Sequence, residues 1–331
     1  MSGTVRLALV GCGRHMFNQI YDHMKNLPIE LVAICDTNQE MLDRFSKKYH
    51  VDKTYTDYRE MLEKEQLDAV VCVVNPQVHY EVARDCMLAG VRVFVEKTPC
   101  LNLAQAQELL DVQKKTGRYV MVGFNRRFAT AYLIAREIIG RSEFGRTAMY
   151  LAKYNSSEYK SEDYFVLNHL IHHLDIARYF IGEIKELNVA RIKLSDRQVG
   201  YHLLFTAESG AIGMIQSGSL QHEPYPMERI EITGDGRNVI IDNVKRVEYN
   251  RPGGNKEEMS GVMLADGRDA LVWNLNLGHS SGYSHIGYER ELAYFIDCVQ
   301  NQQIPEPNFE DTIHTMELLD RIKKAGFGKD S

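Results

Sequence analysis

Val5–Val10, a run of mostly apolar residues, ends directly in Gly11-Cys12-Gly13-Arg14-His15-Met16, and an amphipathic stretch, Met16–Asn26, follows at once. A strand that reverses into a helix through so short a turn leaves few choices of fold. The helix must lie back across the strand, and the next strand must come up parallel to the first. The following residues repeat the pattern. Leu31–Cys35, Ala69–Val74, Val91–Val95 and Tyr119–Val122 read as strands. Asn38–Tyr49, Val78–Ala89 and Leu103–Lys115 read as helices between them. These strands are rich in Val, Ile and Leu without polar alternation, as parallel strands buried on both faces are. The expected start is a doubly wound parallel sheet.

The period changes after about Gly123. A helix (Ala129–Ile139) is followed by segments that alternate with period two, Thr147–Tyr154, Asn188–Leu194, Tyr201–Thr206, Ala211–Ser217, Arg229–Thr233, Val239–Asp242 and Arg246–Tyr249. A helix at Phe165–Phe180 interrupts them, and two more, Gly287–Val299 and Phe309–Ala325, close the chain. Gly253–Glu258 reads as a mobile loop. The fold class is therefore α/β: a Rossmann doubly wound parallel sheet (residues 1–123), then an α+β domain with an open, mostly antiparallel sheet (residues 124–331). A sheet with helices on one face only must cover the other or expose an apolar patch. Self-association through residues 145–250 is expected.

With 331 residues there is room for two domains, and a net charge of −6 argues against nucleic acid as a partner. No apolar run approaches the ~20 residues of a membrane span, and the start does not read as a signal peptide. The six cysteines form no C-x-x-C pair and several sit within apolar runs, a usage that fits a reducing cytoplasm.

Three groups of residues carry chemistry. In the glycine turn, Gly11 permits the bend and Gly13 lets the backbone approach a pyrophosphate, which sits on the positive end of the helix. Met16 stands where this fingerprint has its third glycine. Asp36 closes the second strand, placed for the adenosine ribose hydroxyls. Its charge repels a 2′-phosphate, which favours NAD over NADP, with Arg14 a nearby cation. A plain βα turn and a helix-capping Asp would look alike. Second, Glu96-Lys97 follows the strand Val91–Val95, at the edge where open α/β sheets bind ligands. A lysine there can donate to a substrate hydroxyl and offset an alkoxide; an exposed Glu-Lys pair is the alternative. Third, Asn168, His172 and Asp175 share a helical face, and histidine has the intrinsic pKa of a proton shuttle. A core histidine is one alternative, and a metal site is another, since His169 and His173 also share a face.

These pieces in their order resemble the glucose–fructose oxidoreductase/inositol dehydrogenase/MocA (Gfo/Idh/MocA) family over nearly the full length. The matching segments are Val10–Gly13, Val73–His79, Val93–Lys97, Gly123–Phe128, His172–Asp175 and Tyr288–Phe295. The resemblance implies an NAD-dependent oxidoreductase of secondary alcohols of sugars or polyols. In it Lys97 orients the reacting hydroxyl, His172 exchanges its proton, and Asn75 and Pro76 lie near the nicotinamide ribose. The cofactor set is then Gly11, Gly13, Arg14, His15, Met16, Asp36, Asn75, Pro76, His79, Glu96 and Lys97. The substrate set is Asn125, Arg127, Tyr154, Asn168 and His172, with no metal. The family's outer sheet face commonly pairs subunits. Two departures stand out: the proline of Glu-Lys-Pro comes one place late, at Pro99, and Asn168 replaces an aspartate, so it is expected to hold His172 or a hydroxyl by hydrogen bonds and to take no proton. A non-catalytic NAD or sugar sensor, and a dehydrogenase of non-sugar substrates such as dihydrodiols or imines, remain open.

Overall fold

The computed structural model describes residues 3–221, 227–252, 268–275 and 286–327. Residues 253–258, read above as a loop, lie outside them. The chain divides into two compact units, Met1–Asn125 with Gly287–Asp320, and Arg126–Ile286 with Arg321–Ser331.

The first unit is built on six parallel strands: β1 (Val5–Val10), β2 (Ile29–Cys35), β3 (Thr54–Tyr55), β4 (Ala69–Cys72), β5 (Arg92–Glu96) and β6 (Val120–Gly123). Their order across the sheet is β3-β2-β1-β4-β5-β6. The direction of winding reverses between β1 and β4, and open α/β sheets bind ligands beyond the carboxyl ends of the strands at such a reversal. β4 is buried at every position, as its unbroken apolar sequence requires. The helices are α1 (Tyr21–Met24), α2 (Gln39–Tyr49), α3 (Tyr58–Lys64), α4 (Pro76–Leu88) and α5 (Leu103–Thr116). Asn38, Asp57 and Asn102 start α2, α3 and α5 by accepting backbone N–H groups through their side chains.

Two details depart from the sequence reading. The helix expected over Met16–Asn26 opens as a π turn, Met16–Ile20, before α1. Met16, in the place of the third glycine, is fully buried, and the wider turn accommodates its side chain between helix and sheet. The short β3 and α3 have too little periodicity to register in the sequence.

The second unit carries helices α6 (Thr130–Ile139), α7 (Glu162–Phe165) and α8 (Ile171–Ile181), the last two joined by a π turn at Val166–Leu170. Its strands are β7 (Met149–Asn155), β8 (Ile184–Lys193), β9 (Val199–Ala207), β10 (Ile212–Gly218), β11 (Met227–Thr233), β12 (Asn238–Asp242), β13 (Arg246–Pro252) and β14 (Arg268–Asn274). They form one sheet in the order β14-β13-β12-β11-β7-β10-β9-β8. Every pair is antiparallel except β7 with β10. β9 alternates buried and partly exposed residues along its length, the mark of a sheet covered on one face. α6 packs on β12 and β13, and α8 packs on β7. Met149, Leu151, Leu204 and Ile212 remain 38–54% exposed and border an apolar groove of about 520 Å³.

The last helices, α9 (Tyr288–Gln300) and α10 (Phe309–Phe327), were assigned by the sequence to the second domain. The structure instead groups Gly287–Asp320 with the first unit. α9 lies on β1 and α1, and its Phe295 meets Phe94 of β5 at 5.7 Å between ring centres. The segment before α10 is tied in as well: Val122 N–H donates to Pro307 C=O (3.0 Å), and Gln113 to Asn308 (3.3 Å). An amphipathic helix encodes that one face is buried, not which surface buries it. Among the described residues no helix is long and apolar enough to cross a membrane.

Candidate active site

The glycine turn leaves β1 with Gly11 at φ +93°, a conformation that disfavours any side chain. A Cβ at Gly11 would also stand 2.2 Å from the Val73 carbonyl oxygen, so the turn packs directly on the loop that leaves β4. A Cβ at Gly13 would meet nothing within 4 Å. Open space beside bare backbone at the start of a helix is what a pyrophosphate requires. Asp36 sits at the end of β2, where its carboxylate accepts the N–H groups of Cys12 (2.6 Å) and Asn38 (2.8 Å). It thus braces the turn. Arg14 and His15 are exposed, and Asn75 is exposed at the start of α4 with Pro76 as the first helical residue. These residues fit a dinucleotide: a turn for the phosphates, a carboxylate for a ribose, and free backbone along the sheet edge.

Glu96 is 4% exposed. Its Oε1 lies 3.5 Å from His15 Nε2, and its Oε2 accepts the Lys97 N–H (3.1 Å). Burial opposes the charge on Glu96, but His15 and Lys97 outweigh it and hold the carboxyl below its ordinary range. Lys97 is thereby fixed through its backbone at the carboxyl end of β5. His79 is 1% exposed, with Nε2 accepting the Val74 N–H (3.0 Å) and Nδ1 bonded to the Thr98 carbonyl (2.9 Å). Both ring nitrogens are committed to backbone, so the cofactor contact expected of His79 is not available through them. Asn125, the last residue before the chain leaves this unit, is 4% exposed.

In the second unit, Arg127 does not present a free guanidinium to a substrate. It forms a two-bond ion pair with Asp175 (2.6 and 2.9 Å), with side chains 11% and 1% exposed. Its neighbour Arg126 pairs in the same way with Glu228 (2.9 and 3.2 Å), and the Tyr132 hydroxyl bonds to that carboxylate. Sequence reasoning missed this second pair; the doubled arginine was its only local sign. The Tyr154 ring lies against two histidines, 4.0 Å from His169 and 4.3 Å from His173. His169 and His173 do share a face, as their spacing suggests, and the face they share is aromatic. Burial pushes the His173 imidazole down to about 4.

Asn168 does not hold His172. Its amide donates to the Tyr164 carbonyl (3.0 Å), and no hydrogen bond joins it to His172 among the described residues. Asn168 lies within the π turn Val166–Leu170, where the winding departs from the 3.6-residue period that the spacing argument assumes. His172 itself begins the regular helix and is 7% exposed.

Residues 5–124 match the NAD-binding Rossmann fold of the Gfo/Idh/MocA oxidoreductase family, and residues 139–329 match its C-terminal alpha/beta domain. The chain belongs to that family. Gfo/Idh/MocA membership makes it an NAD-dependent oxidoreductase. It is similar to myo-inositol 2-dehydrogenase of Thermotoga maritima, 28% identical over 73% of this chain and 76% of that protein. It is 24% identical to D-apiose dehydrogenase of Paraburkholderia graminis, over 95% of this chain and 85% of that one. A dehydrogenase from Chromobacterium violaceum shares its Gfo/Idh/MocA architecture with a TM-score of 0.88 at 25% identity, covering 98% of this chain and 95% of that structure.

Proposed function

We propose that this protein oxidises a secondary alcohol of a sugar or polyol, or reduces the matching ketone. The observation that carries the reading is Lys97, held by the Glu96 carboxylate at the carboxyl end of β5 in a unit whose glycine turn and Asp36 suit NAD. When bound, NAD supplies the hydride acceptor at its nicotinamide ring. Lys97 donates a hydrogen bond to the reacting oxygen and stabilises the negative charge that grows there. His172 exchanges the hydroxyl proton. Asn168 takes no proton, so His172 has no carboxylate partner at that position. Asn75 and Pro76 border the nicotinamide ribose, and Asn125 and Tyr154 contact the substrate. The inositol and apiose dehydrogenases among its relatives support a polyhydroxylated substrate. Leu204 and Ile212 place an apolar face on the second sheet, and a second copy of the chain covers it.

The test is absorbance at the NADH band with purified protein, NAD and a panel of inositols, pentoses and sugar acids. Turnover on members of the panel supports the reading. Tight NADH binding with no turnover on any alcohol, dihydrodiols included, would leave a sensor in place of an enzyme.

A further inference from the structure

We propose that His79 is a positioning residue that sets the loop after β4 and the loop after β5 in one register at the carboxyl edge of the sheet. This rests on the reading that Lys97 and Asn75 serve the reaction. His79 sits in the first turns of α4, and its ring reaches back across two loops. Nε2 accepts the N–H of Val74, the residue before Asn75, at 3.0 Å. Nδ1 bonds at 2.9 Å to the carbonyl of Thr98, the residue after Lys97. One rigid ring thus fixes the distance between the two backbone segments that carry Asn75 and Lys97.

The direction of each bond is determined by chemistry. An amide N–H only donates, so Nε2 must be bare; a carbonyl only accepts, so the proton sits on Nδ1. Thr98 is fully buried, and water cannot replace the ring at its carbonyl. Burial, helped by the Lys97 charge, pushes the imidazole down to about 4, while the Thr98 bond and Glu96 act the other way; the ring stays neutral where the enzyme works. The register extends one loop further, because the Val73 carbonyl packs against Gly11 in the nucleotide turn. Any buried histidine needs partners for its ring nitrogens; what sets His79 apart is that its two partners, Val74 and Thr98, stand next to Asn75 and Lys97.

Two conservative variants separate the two bonds. His79→Asn places an amide N–H near Nδ1, keeping the Thr98 bond and losing Val74. His79→Gln places a carbonyl oxygen near Nε2, keeping Val74 and losing Thr98. We expect a crossed pattern. His79→Asn weakens NADH binding by about tenfold, with kcat at saturating cofactor within about threefold of the parent. His79→Gln leaves NADH affinity within about twofold and lowers kcat by about tenfold or more, since small misplacements of a catalytic group are costly. NADH affinity is read by fluorescence titration and needs no substrate. The Lys97 position is read without turnover by NMR of ¹³C-dimethylated lysines, assigned with Lys97→Arg. That signal should move in His79→Gln and not in His79→Asn. If Lys97→Ala proved fully active, the role assigned to Lys97 would fail while these two measurements still report on the register. Parallel changes in both variants, or none in either, would overturn the proposal in favour of a core histidine. So would ¹⁵N shifts in the unaltered protein showing His79 protonated on Nε2, a result that depends on no variant folding.

Discussion

At the scale of single residues, the site divides into groups that touch ligand and groups that hold those in place. If Lys97 stabilises the developing oxyanion, Lys97→Ala should lower kcat by roughly 10²–10³ while leaving NADH affinity nearly unchanged. Steady-state kinetics beside NADH titration checks both. The Asp36 carboxylate accepts the Cys12 and Asn38 N–H groups, and the ribose contact proposed for it would be a second duty. Asp36→Ala should weaken NAD by about tenfold or more, the usual loss for a charged acceptor, and narrow the margin over NADP. Calorimetry showing that NADP already binds the parent as tightly as NAD would refute the preference. Gly11 and Asp36 were legible from the sequence because a tight turn and a strand-ending carboxylate are local chemistry. The bonds of His79 were not legible, because both its partners are backbone groups of other loops, and its ring nitrogens do not offer the cofactor contact expected of it.

At the scale of elements, the two π turns are what sequence periodicity could not show, since reading a helix assumes 3.6 residues per turn. Asn168 lies in the turn at Val166–Leu170, and its amide bonds to the Tyr164 carbonyl, not to His172. Asn168→Ala should therefore leave the inflection of kcat/KM against pH where it stands in the parent; a displaced inflection would show that the two side chains communicate. A second element-scale constraint is the tie between the turn carrying Arg127 and the helix carrying Asp175. Removing one partner of a buried pair strands the other, so Asp175→Ala should cost about 3–5 kcal/mol in urea unfolding. The double change Arg127→Met with Asp175→Leu should recover most of it, which a substrate-binding role for Arg127 would not explain.

At the scale of the whole molecule, the fold class followed from strand–helix alternation and then period-two segments. The destination of α9 did not, because an apolar helix face suits either sheet. The outer face of the second sheet, with Met149, Leu151, Leu204 and Ile212 grouped around one groove, is the surface expected to pair two copies. Leu204→Glu should shift sedimentation towards the monomer without changing NADH affinity, and a parent protein that sediments as a monomer at micromolar concentration would exclude the pairing. The return of Gly287–Asp320 to the first unit also bears on biosynthesis. A ribosome that has released Asn125 has delivered every strand of the nucleotide sheet, yet not the helix that lies on β1. That helix emerges on the order of ten seconds later, after residues 126–286 of the second unit have been translated. Throughout that interval the apolar surface awaiting α9 faces the chaperones of the cell.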